Sequence, residues 1–281
     1  MVDSGALQHR MSTLVEPLKS SPFVTLKDGA EKPPIFIIHG VCGRVQFSKL
    51  ARHIRTNNPV YGIQARGIGG AEQPFDRIED MSKFYLDELS QSYPDGPYIL
   101  IGYSFGGLIA LEMAQGLLRK GMRVPLLMLV DAYPHPRFLT PAQRKRLFLR
   151  RLRSHLGKMR QCSFSDALSY FLRGFKNRLQ ISSTASERWA KTYDKRSSAL
   201  ETVESKAYEA LANYKPKFYP GKISFVTTRE KTFFPEAPEP VWAHLADKLE
   251  VDVIPGNHLN IITTEFGPLA AVITSLVREL D

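Results

Sequence analysis

The segment Gly102-Tyr103-Ser104-Phe105-Gly106-Gly107 carries the pattern G-x-S-x-G, with an apolar run at 98–101 leading into it and helix-spaced apolar residues following to Lys120. Strand, sharp turn and helix in that order form a nucleophile elbow, in which a serine on a strained turn projects its hydroxyl over the sheet edge. The pattern alone is weak evidence; the context strengthens it, because Gly102 and Gly106 are the small residues that keep strand and helix from colliding. A glycine-rich turn binding phosphate through its amides is the other use of such a segment. Neither a P-loop lysine nor G-x-G-x-x-G accompanies it, so Ser104 is expected to be a nucleophile, flanked by Tyr103 and Phe105.

A serine hydroxyl needs a base. Of seven histidines, His258 lies in the turn-rich loop Pro255-Gly256-Asn257-His258-Leu259-Asn260, directly after the last strand-like run at 251–254. His244 falls in a helical stretch at 241–248 and reads as a surface residue, and His39 reads as structural in an early turn. His9, His53, His135 and His155 lie in the tail, an early helix or an insertion. The base in turn needs an acid to fix its tautomer. Asp131 directly follows the run 126–130, and Glu230 closes the next one; Asp131 is favoured because it is short and adjoins its strand, whereas Glu230 sits between Arg229 and Lys231 like a solvated loop charge. The oxyanion of an acyl-transfer intermediate would be met by the backbone amides of Phe105 and of Val41, the latter in the loop His39-Gly40-Val41-Cys42-Gly43. Cys42 is read as a small buried residue rather than a competing nucleophile.

These groups have to be positioned by something regular. Runs of strand length at 35–38, 60–63, 98–101, 126–130, 223–226 and 251–254 are apolar at consecutive positions, as strands buried on both faces of a parallel sheet are. Helix-spaced segments at 47–55, 78–93, 105–120, 241–248 and 266–280 separate or follow them. Such alternation indicates an α/β fold with helices on both faces of the sheet. It fails at about 137–216, where Phe148, Leu152, Leu156 and Met159 mark one face of a basic helix and further helical patterns occupy 167–179 and 200–213. That span is read as a helical insertion in a single domain covering 21–281, preceded by a tail at 1–20.

The chain has 281 residues and a net charge of +10, with 43% hydrophobic and 23% charged residues, values of a globular chain that exclude disordered and fibrous classes. Twelve basic residues fall between Arg137 and Arg178, where Asp166 is the only acid, so the positive charge belongs to the insertion and not to the whole protein. A nucleic-acid partner is therefore not inferred from the charge. Cys42 and Cys162, the only cysteines, suggest neither a disulfide framework nor a metal site. With no apolar run approaching 18 residues, a soluble, cytoplasmic protein without a transmembrane segment is expected.

Taken together, the stretches Pro33-Pro34-Ile35-Phe36-Ile37-Ile38-His39-Gly40, Pro59-Val60-Tyr61-Gly62-Ile63-Gln64-Ala65-Arg66-Gly67 and Pro94-Asp95-Gly96-Pro97-Tyr98 through the elbow resemble the thioesterase domains that end nonribosomal peptide synthetases and polyketide synthases. The Gln-Ala-Arg-Gly turn and the Gly-Pro-Tyr entry into the elbow are the specific parts of this resemblance. It implies an α/β-hydrolase fold, with a mostly parallel sheet and the insertion as a lid over an acyl channel. It also implies that the acid follows the strand after the nucleophile helix, which supports Asp131. The substrate it implies is an acyl, peptidyl or polyketide chain on the phosphopantetheine arm of a carrier protein, released through a Ser104 acyl-enzyme by hydrolysis or cyclisation. This chain itself would bind no cofactor and no metal. Cys42-Gly43-Arg44 departs from the family's usual small residues, so Arg44 is expected at the entrance. With about twenty residues before the core, a free-standing enzyme or an excised synthetase domain is expected. Arg150, Arg151 and Arg153 on the basic helix are candidates for docking an acidic carrier. Two other readings compete: a carboxylester hydrolase or acyl-CoA thioesterase acting on a diffusible substrate, and an inactive hydrolase-fold protein whose basic insertion binds membrane or RNA.

Overall fold

The structure is a computed structural model that describes residues 21–30, 33–159, 198–230 and 237–280, with the backbone alone for 150, 151 and 153–159. Strands β1 (Phe23–Lys27), β2 (Ile35–Ile38), β3 (Val60–Ile63), β4 (Ile99–Tyr103) and β5 (Leu126–Val130) alternate with helices α1 (Ser48–His53), α2 (Ile78–Ser92) and α3 (Phe105–Arg119). A 3-10 turn at Pro136–Phe138 and helix α4 (Pro141–Met159) follow. The chain then continues through α5 (Ser198–Asn213), β6 (Tyr219–Glu230), α6 (Glu239–Trp242), β7 (Ala246–Asn257), α7 (Asn260–Thr263) and α8 (Phe266–Arg278).

The strands form one sheet in the order β1-β3-β2-β4-β5-β6-β7, parallel throughout except for β1, which pairs antiparallel with β3. The period of two residues in a strand sorts the central side chains between two cores. Leu100 of β4 and Leu127 and Leu129 of β5 pack toward α2 and α3. Ile99, Ile101 and Tyr103, with Leu126, Met128 and Val130, pack toward α1 and α8. Strands β2, β4 and β5 are buried at every residue, as their unbroken apolar runs require. Helix α3 is buried throughout 105–117, in keeping with apolar residues around its whole circumference.

The mixed α/β sheet agrees with the expected class, and four features differ from the sequence reading. Strand β1 was not anticipated, because an edge strand with one partner is only half buried and its pattern is mixed. Strand β7 is the opposite edge; Val253 there is 57% exposed, so it is not buried on both faces. The helix expected at 241–248 is instead the short α6 followed by β7 from Ala246, which places exposed His244 in the intervening turn. On α4, Leu147 is the buried contact while Phe148 and Leu152 are exposed, so the expected inward face is rotated. Of the helical patterns expected in the insertion, 200–213 lies in α5, whereas 167–179 and the tail at 1–20 fall outside the described residues.

Candidate active site

The connection from β3 through α2 to β4 crosses β2, so chain progression reverses between β2 and β4. Ligands of open α/β sheets bind beyond the carboxyl ends of the strands at such a switch point. The loop carrying Val41 leaves β2 there, and Ser104 leaves β4 beside it.

Ser104 has φ 55° and ψ −121°, a strained conformation for a residue with a side chain, and its amide donates to the Val130 carbonyl at 2.8 Å. The elbow is close-packed on every side. A Cβ on Gly102 would strike the backbone of Gly106 and Gly107, and one on Gly106 would strike the carbonyl oxygens of Ile38 and His39. The second contact reaches across to the end of β2, so Gly106 sets how near the Val41 loop approaches Phe105. Val41 is half-buried, Phe105 is buried, and both amides belong to this junction of loop and helix.

Seryl, imidazole and carboxylate groups meet across three strands. The Ser104 hydroxyl and His258 Nε2 are 3.1 Å apart, and His258 Nδ1 lies 3.4 Å from Asp131 Oδ2. A carboxylate only accepts, so Nδ1 carries the proton and Nε2 accepts from Ser104. Asp131 itself has φ 46° and is 2% exposed. Its Oδ1 accepts from the Thr227 hydroxyl at 2.9 Å and the Thr228 amide at 3.2 Å, and Oδ2 accepts from the Thr228 hydroxyl at 2.8 Å. Burial pushes this carboxyl upward as the largest single influence. The His258 hydrogen bond and charge and the two threonine hydroxyls together outweigh it and hold the group below the usual carboxylate range.

Tyr103, Thr227 and Thr228 are thus contacts of the site whose roles the sequence reading did not assign. The threonines did have a signal: two hydroxyl residues directly follow the apolar run 223–226, on the strand beside the one that carries Asp131. Tyr103 stacks on the His258 ring, with centroids 4.9 Å apart and planes inclined by 20°. Glu230, the other candidate acid, is exposed at the end of β6.

His39 is structural, as expected: Nδ1 donates to the Gly40 carbonyl at 2.7 Å and Nε2 accepts from the Tyr85 hydroxyl at 2.8 Å. Burial lowers its pKa to about 4, so it stays neutral. Cys42 is half-buried rather than buried, and Arg44 is exposed. Gly43 has φ +71°, and a Cβ there would meet Val203 of α5. A small pocket opens beside this loop, lined by His39, Arg66, Phe75, Tyr85 and Val203 among others. Arg150, Arg151 and Arg153 are on α4, but their side chains lie outside the described residues. Among the described residues, no group of three or more His, Cys, Asp or Glu could hold a metal ion, and no helix is long and apolar enough to cross a membrane.

Residues 33–276 match the family model for the thioesterase domain. The chain is 35% identical over 133 residues to malpibaldin synthetase of Mortierella alpina, covering 47% of this chain and 2% of that protein. It is 39% identical over 111 residues to the dimodular nonribosomal peptide synthase of Bacillus subtilis, covering 39% of this chain and 5% of that one. The chain therefore spans only a small part of the length of these curated relatives. Among solved structures, the thioesterase domain of NocB from the nocardicin cluster superposes with a TM-score of 0.63 at 22% identity, covering 92% of this chain and all of that one. At that identity the likeness concerns the fold.

Proposed function

Because the chain belongs to the thioesterase domain family, we propose that it releases an acyl or peptidyl chain from a carrier-protein thioester through a covalent intermediate on Ser104. The observation that carries this reading is the continuous contact from Ser104 through His258 to Asp131 at the carboxyl edge of the sheet. His258 Nε2 takes the hydroxyl proton as Ser104 Oγ attacks the thioester carbon, and Asp131 balances the imidazolium that forms. The amides of Val41 and Phe105 receive the negative oxygen. Collapse breaks the C–S bond, the sulfur leaves with the proton from His258, and the acyl group remains on Ser104. Water, or a nucleophile within the chain being released, then gives His258 its proton and attacks the ester, and Ser104 recovers its hydrogen.

In this reading the phosphopantetheine belongs to the carrier and arrives as part of the substrate. The insertion at 137–216 acts as the lid, and its basic helix steers an acidic carrier through Arg150, Arg151 and Arg153. The working compartment is the cytoplasm.

Intact-mass measurement after incubation with one acyl group offered on a carrier, on coenzyme A and as a small thioester tests the proposal. The protein should gain the acyl mass and Ser104→Ala should not, with the carrier-bound donor fastest. An acyl adduct persisting in Ser104→Ala would remove the nucleophile assignment, and equal rates on all donors would favour a diffusible substrate.

A further inference from the structure

We infer that Tyr103 is a positioning residue that holds His258 in register with Ser104, an inference that rests on the reading of Ser104 and His258 as nucleophile and base. The base lies 154 residues after the nucleophile, in the turn that directly follows β7, where the Asn257 carboxamide oxygen accepts from the amides of Leu259 and Asn260, each at 3.1 Å. Those bonds shape the turn, and the pairing of Asn257 with Glu230 ties its start to β6. Tyr103 spans the distance from the turn to the elbow. Its hydroxyl donates to the backbone carbonyl of His258 at 2.6 Å while its ring lies against the imidazole, so one side chain holds both the loop and the ring plane.

The parity of β4 explains how this is possible. Ile99, Ile101 and Tyr103 share the face that packs toward α1 and α8, and Ile261 and Ile262 of α7, just after His258, belong to the same core. Tyr103 therefore enters beneath the base from the strand that ends at the nucleophile. Phe47 braces it, edge to face, with ring centroids 6.0 Å apart. Burial, then the nearby Asp131 and Cys42, push the phenol far above its ordinary range, which keeps the hydroxyl a donor at every working pH. Because Tyr103 and Ser104 are covalent neighbours, a small shift of the elbow carries the tyrosine with it, and His258 follows through the two contacts. The distance across which the proton moves is thereby protected from motion of either loop.

The test compares Tyr103→Phe and Tyr103→Leu on a small acyl N-acetylcysteamine thioester, with Ser104→Ala as control and thermal melts on each protein. Tyr103→Phe keeps the ring and loses the donor. One neutral hydrogen bond corresponds to about a 3- to 10-fold fall in kcat with KM unchanged. Tyr103→Leu also loses the stacked ring and should fall by about 100-fold, the scale set by an ångström of misplacement. A fall in kcat and kcat/KM together, with the folded fraction intact, supports the positioning role. An unchanged kcat in folded Tyr103→Phe overturns it, as does a rise in KM alone, or a loss that only follows the fraction unfolded. If Tyr103→Leu does not fold, Tyr103→Phe decides by itself. Turnover retained by Ser104→Ala would instead strike the underlying reading of the site, a result separable from failure of the tyrosine variants.

Discussion

Replacing Thr228 by valine keeps a β-branched side chain on β6 and removes one donor from a carboxylate that has almost no access to water. Asp131 Oδ2 is the oxygen that His258 faces, and the Thr228 hydroxyl fixes it from the other side. A hydrogen bond to a charged group contributes about 1.5–3 kcal/mol. In a domain of this size, that loss corresponds to a fall in Tm of roughly 3–12 °C. If about half of it is felt in orienting the imidazole, kcat/KM falls by roughly 3- to 10-fold at neutral pH. The pH dependence has a definite sign. Burial alone would raise the Asp131 pKa, and it is the hydrogen bonds that hold it down. Removing one tilts the balance upward, so the carboxyl of the variant takes up its proton at higher pH than that of the parent. A carboxylate depressed in the folded state adds stability above its unfolded pKa, and that stability is lost as pH falls through the folded value. The Tm difference between Thr228→Val and the parent should therefore be largest near neutrality and shrink on acidification, as both carboxyls take up protons. Melts over about pH 2 to 8 and kcat/KM near neutrality measure the two effects. An unchanged kcat/KM near neutrality, or a Tm difference that persists or grows in acid, would refute the reasoning.

Asp131→Asn should lower turnover by roughly 10⁴, the scale of a triad acid that no longer holds the tautomer, while Glu230→Gln leaves it nearly unchanged; steady-state rates that reverse this order would move the acid to β6. Gly106→Ala drives a methyl into the carbonyls of Ile38 and His39 and should cost roughly 1–3 kcal/mol in stability along with most of the activity, so a variant with the parent's melt and rate would show that the elbow and the Val41 loop can separate freely. Changing Arg150, Arg151 and Arg153 together to Glu should reduce kcat/KM on a carrier-bound thioester and weaken its salt dependence, while sparing a small thioester of the same acyl group. Equal loss on both substrates would mean damage to the helix rather than to docking.

The apolar runs marked the central strands well because a strand buried on both faces has no polar position to confuse the pattern. Strands β2, β3 and β5 begin and end where the runs at 35–38, 60–63 and 126–130 do. At the margins this logic fails. β1 and β7 each have one neighbour and outer residues that meet water, so mixed composition conceals β1 altogether and leaves only the run at 251–254 to mark the longer β7. Val241, Leu245 and Lys248 have helical spacing, yet pairing with β6 draws 246 onward into the sheet, since Tyr219 pairs with Ala246. Ladder hydrogen bonds from a strand distant in sequence override the local period there.

The candidate site was legible for the same reason as the central strands. His39 follows the last residue of β2, Ser104 that of β4, Asp131 that of β5 and His258 that of β7. Finding where β4, β5 and β7 end therefore also finds a candidate site residue, and parallel strands bring those ends to a single edge. The contacts that refine the site have no such marker. That Tyr103 reaches His258 depends on which face of β4 it occupies and on the α7 loop returning over that face from the far edge of the sheet. That two threonines close around Asp131 depends on the register pairing Val130 with Val226, one residue before them. Both join segments 96 and 155 residues apart in the chain, and local spacing does not encode such contacts. The candidates for the reacting groups can be read from strand ends, whereas the side chains that contact them emerge only once the sheet is assembled.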